Sequence, residues 1–65
     1  MNAAELIRRR AHLGLSRPAL AKQLDVAAST IWRWEKEDRQ PHPIIVSHIE
    51  AILQRLEREQ MDATS

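Results

Sequence analysis

Residues 14–36 read GLSRPALAKQLDVAASTIWRWEK, with a stop, a cap and two sets of helically spaced apolar residues. Gly14 is a helix stop. Ser16 is positioned to cap a second helix, with Pro18 in the first turn, where a missing N–H does no harm. Leu20, Ala21 and Leu24 recur at helical spacing and predict an apolar face. Asp25 tolerates left-handed geometry and can end that helix, and Val26 leads into a third one from about Ala28 to Lys36. Trp32 and Trp34 are the only aromatic residues apart from histidine. Two residues turn a helix through about 200°, so these indoles face opposite ways. Ile31 and Trp34 share one side, while Ser29, Trp32, Arg33 and Lys36 share the other. The spacing therefore predicts Trp34 in the core and Trp32 outside it.

Helical periodicity continues on both sides of this stretch. Asn2, with Glu5 three residues on, forms a cap signal ahead of Leu6, Ile7, Ala11 and Leu13. Arg8, Arg9 and Arg10 step around that first helix, with Arg8 and Arg9 expected to face solvent. Residues 37–43 are polar with two prolines and read as a loop. Ile45, Ile49, Ile52, Leu53 and Leu56 then sustain an apolar stripe to about residue 60, and residues 61–65 read as a flexible tail. Nothing alternates with period two over a useful length. The expectation is an all-α, compact bundle of about four to five helices in a single domain over residues 1–60.

Composition narrows the function classes. Sixty-five residues without cysteine leave neither a disulfide framework nor a thiolate metal site to support a small core. Residues 1–43 carry eight basic and five acidic side chains, and residues 44–65 carry two and four. The first part could therefore face a polyanion while the second faces solvent or another copy. No apolar run approaches the roughly 18 residues of a membrane span, so a soluble, cytoplasmic protein is expected. His12, His42 and His48 do not fall at ligand spacing with one another, and Ser16, Ser29 and Ser47 show no paired base. An enzyme, a metal centre, a cofactor and a small-molecule ligand are not expected.

Short helices joined by a short turn are the geometry of a helix-turn-helix. Here the ordered set Arg10-x-x-x-Gly14-Leu15-Ser16, Leu20-Ala21, Leu24, Val26, Thr30-Ile31, Trp34-Glu35 and Pro41 resembles the phage repressor/Cro type, or Xre-like, helix-turn-helix domain. The resemblance spans roughly residues 4–56. It departs from the family at Arg17, where glutamine is usual, at Asp25, where glycine is usual, and at Ala27, where a capping side chain is usual. The usual glycine in the loop after Glu35 is also missing.

The resemblance implies that Arg10 and Glu35 form a structural ion pair. It implies that Ala28, Ser29, Trp32 and Arg33 read base edges in the major groove of double-stranded DNA. Ser16, Arg17, Thr30, Lys36, Arg39, Gln40 and His42 would meet phosphates. Arg33 suits guanine, whose O6 and N7 match a guanidinium fork. Trp32 either joins the reading surface or folds back over Lys36 or the loop. The C-terminal helix would make a homodimer through Ile52, Leu56, Val46 and Met61, bordered by Glu50, Arg55, Glu57, Arg58 and Glu59, and pair two recognition helices on an inverted repeat. The implied function is a transcriptional repressor in the nucleoid, of the kind found in phage or mobile-element switches. The alternatives are an antitoxin that also masks a toxin, and a helical interaction module that binds no DNA.

Overall fold

Three of the four described helices begin where a side chain accepts a backbone N–H of the first turn. The computed structural model describes residues 1–64. Asn2 Oδ1 accepts the Glu5 N–H at 2.8 Å and opens α1 (Ala3–His12). Ser16 Oγ accepts the Ala19 N–H at 3.2 Å and opens α2 (Arg17–Leu24). His42 Nδ1 accepts the Ile44 N–H at 3.1 Å at the start of α4 (Pro43–Thr64). Only α3 (Ala28–Glu35) lacks this help, because Ala27 at its N-cap has no side-chain acceptor.

The first three helices end in one way. Gly14, Asp25 and Glu37 each adopt a left-handed backbone, with φ of 71°, 58° and 62°. After each, the next N–H reaches back five residues: Leu15 to the Arg10 carbonyl, Val26 to Ala21 and Asp38 to Arg33. These are Schellman ends, which satisfy carbonyls the helix itself leaves open. Glycine occupies one of the three positions, aspartate the second, and glutamate the third. A left-handed backbone costs an ordinary residue about 1–2 kcal/mol, and the greater freedom of glycine in the unfolded chain offsets part of the gain from removing it. Glu37→Gly is therefore expected to raise the unfolding free energy by about 0.5–1 kcal/mol, measured by urea titration.

The core is aliphatic around one indole. Leu6, Leu20, Ala21, Leu24, Ile31, Trp34, Ile49 and Leu53 are buried, drawing on all four helices. Leu13, Leu15, Val26, Ala28, Ile45, Ile52 and Leu56 are half-buried against them. Trp34 thus faces inward, while Trp32 on the next-but-one position stays 43% exposed. The described chain is all-helical, with no strand among the described residues. No helix is long and apolar enough to cross a membrane among those residues.

Expectations about Arg9 and the C-terminal helix are corrected. The helix α4 runs on through Thr64, past the limit of about residue 60, so residues 61–64 are helical; Ser65 lies outside the described residues. No proline or glycine follows Pro43 to stop it. Arg9 does not face solvent. Its Nη1 donates to both oxygens of Glu50 at 2.8 and 2.9 Å, and its Nε and Nη2 donate to Glu57 at 2.8 and 2.7 Å. Glu50 and Glu57, expected to border a dimer interface, instead fasten α4 to α1. The four residues expected at that interface also fail to share a face. At 100° per residue, Ile52 and Leu56 lie beside the core stripe and pack against it, whereas Val46 and Met61 lie 80–140° further round than Leu56.

Candidate functional site

α2 and α3 are joined through residues 25–27 alone, and the Val26 side chain packs beneath the join. Burying Ile31 and Trp34 against the other helices turns the opposite face of α3 outward. Ser29, Trp32, Arg33 and Lys36 are exposed there. Arg33 and Arg39 have no carboxylate partner among the described residues, so both guanidinium forks are available. The Lys36 ammonium lies over the Trp32 ring, 5.4 Å from its centroid. Trp32 therefore takes its cation from the next turn of its own helix and not from Arg33.

Behind this face, Glu35 is held from two sides. Its side chain is only 2% exposed. Arg10 Nε and Nη2 donate to its two oxygens at 2.6 and 3.2 Å, while Arg10 Nη1 donates to the Leu15 carbonyl at 2.9 Å. Arg17 Nε donates to the same carboxylate at 2.7 Å. Burial pushes the Glu35 carboxyl up, but the hydrogen bonds from Arg10 and then Arg17 outweigh it and hold it below the ordinary carboxylate range. Among the described residues no buried side-chain polar atom lacks a partner. Arg17, expected as a free phosphate contact, is thus already paired, although its side chain stays 43% exposed. The sequence signal for this second link was weak: position 17 precedes 35 by eighteen residues, and only the packing of α2 on α3 brings them together.

The remaining expected residues divide. Ala28 packs half-buried against the core and does not stand free on the outer face. Ser16 and His42 spend an acceptor each on helix starts. Thr30 is half-buried, and Gln40 lines a groove with Met1, Leu6, Trp34 and Glu37. That groove holds about 40 Å³, far below the roughly 300–1,000 Å³ of a small-molecule site. His48 Nε2 donates to the Leu24 carbonyl at 3.2 Å and so helps close the end of α2. No group of three His, Cys, Asp or Glu side chains among the described residues is arranged to hold a metal.

No family model matches the chain, and neither a curated protein nor a solved structure does.

Proposed function

We propose that the protein binds double-stranded DNA through the outer face of α3, in helix-turn-helix manner, and acts as a repressor of transcription. The observation that carries this reading is the composition of that face. Trp32, Arg33 and Lys36 are exposed together on a short helix whose other side is buried, with Arg39 in the turn beyond. A helix fits the major groove, and an arginine there finds O6 and N7 of guanine. The uncapped first turn of α3, where Ala27 supplies no acceptor, suits an end that meets an acidic ligand.

Two copies would act together on an inverted repeat. Ile44 and Met61, 73% and 71% exposed near opposite ends of α4, are separate apolar points that a second copy could cover. Sedimentation showing a monomer at tens of micromolar would remove the dimer from this reading.

Selection from a random duplex pool tests binding, and salt dependence tests the footprint. Arg33, Lys36 and Arg39 give each copy about three cationic contacts, so a pair displaces counterions from roughly six phosphates. The slope of log affinity against log salt is then near −5. A slope shallower than about −2, or no selected sequence at low salt, refutes the proposal.

A further inference from the structure

The outward tryptophan has a narrower chemistry than general contact with nucleic acid. We infer that Trp32 and Lys36 form a reader for the 5-methyl group of a pyrimidine in the major groove, beside the base read by Arg33. This rests on the proposed binding of duplex DNA and names what one part of the face recognises.

Three observations lead there. The Lys36 ammonium occupies one face of the indole, at 5.4 Å from its centroid. That side of the ring cannot take a stacked base. Trp32 is nevertheless 43% exposed, so part of its surface remains for a partner. Arg33, the next residue, is exposed and without a carboxylate partner among the described residues. A guanidinium and an indole are thus presented side by side.

The groove decides what the indole can use. Paired bases stack on one another and show only their edges. In the major groove those edges carry N7, O6, O4 and amino groups, all polar, and a single apolar group, the thymine methyl. An indole pressed on a polar edge strips water from it and returns no hydrogen bond from its ring carbons. Pressed on a methyl, it removes apolar surface from water on both sides. Lys36 contributes by holding the ring, and its positive charge, like those of Arg33 and Arg39, is drawn toward a groove edged by phosphates. A step with thymine, or 5-methylcytosine, next to guanine therefore fits this pair of side chains.

The test removes the methyl and nothing else. A duplex chosen from a random pool is resynthesised with deoxyuridine in place of each thymine in turn. The parent protein should lose about four-fold in affinity for each half-site at one position, the scale of one buried methyl. Restoring the group as 5-methylcytosine in a cytosine-substituted duplex should return part of the loss. Trp32→Ala should bind the thymine and uracil duplexes equally while unfolding at the parent temperature. If every uracil exchange in the parent changes affinity by less than about 1.5-fold, this inference falls while the binding of duplex stands. It falls as well if Trp32→Ala stays as sensitive to the methyl as the parent, or if single-stranded oligonucleotide is preferred. Failure to retain any duplex at low salt would overturn both readings.

Discussion

Trp34→Ala is expected to unfold the protein, whereas Trp32→Ala, two residues away, leaves it folded. Trp34 is 7% exposed and is the one aromatic side chain in a core that otherwise holds six aliphatic side chains and Ala21. Removing a buried indole costs about 3–5 kcal/mol. Chains of this length seldom have much more stability than that to lose. The cost is high here because the neighbours are already in place: Leu20, Ile31, Ile49 and Leu53 are fully buried and cannot move outward to fill the space. Trp32→Ala removes a half-exposed ring and one contact with Lys36, so its unfolding free energy should stay within about 0.5 kcal/mol of the parent. Circular dichroism during heating distinguishes the two variants. A cooperative transition in Trp34→Ala near the parent temperature would show that the indole is not a core element.

The second large effect is expected at Arg10. Arg10→Ala removes the main partner of a carboxylate that is 2% exposed, and leaving a buried charge short of its partner costs about 3–5 kcal/mol. The lower end applies, because Arg17 remains bonded to one oxygen. Arg17→Ala should cost less than about 1 kcal/mol, since its own side chain is 43% exposed and Arg10 still serves both oxygens. Urea midpoints measure both. An Arg10→Ala variant as stable as the parent would mean that the pair is idle. Acid should reach the same feature. Glu35 is held below its ordinary range in the folded chain, so its contribution is complete above the unfolded value of about 4.3 and is lost as pH falls through the lower folded value. Glu50 and Glu57 act with the same sign, because the Arg9 hydrogen bonds lower both.

How much of this was legible in the sequence follows from distance along the chain. The opposite facing of Trp32 and Trp34 is a property of two adjacent turns, and helical rotation alone predicts it. The left-handed ends at Gly14 and Asp25 were equally local, and Glu37 could be read only as a missing glycine. The position of Arg9 was harder. Its partners lie 41 and 48 residues away, and rotation around α1 alone set it apart from Arg10. A signal existed all the same: Arg9 stands three residues after buried Leu6, on the side that meets α4, and Glu50 and Glu57 stand two turns apart on one face. Polar residues without a breaker read equally well as a helix end or a tail, so the extra length of α4 carries no local signal. Likeness to a family predicts Ala28 outward, whereas it packs half-buried against the core.

The Arg9 clasp bears on the mechanics of the long helix. Glu50 and Glu57 rise about 10 Å apart along α4, and one guanidinium spans them both. A slide of α4 by one turn, or a roll by one residue, would pull at least one carboxylate out of reach. The clasp therefore locks the heading and phase of α4 on α1, together with Ile49 and Leu53 in the core and the His48 contact with the Leu24 carbonyl. Gln60, less than one turn beyond Glu57, donates to the His12 carbonyl at 3.4 Å, so the hold of α1 on α4 reaches almost to the end of the described helix.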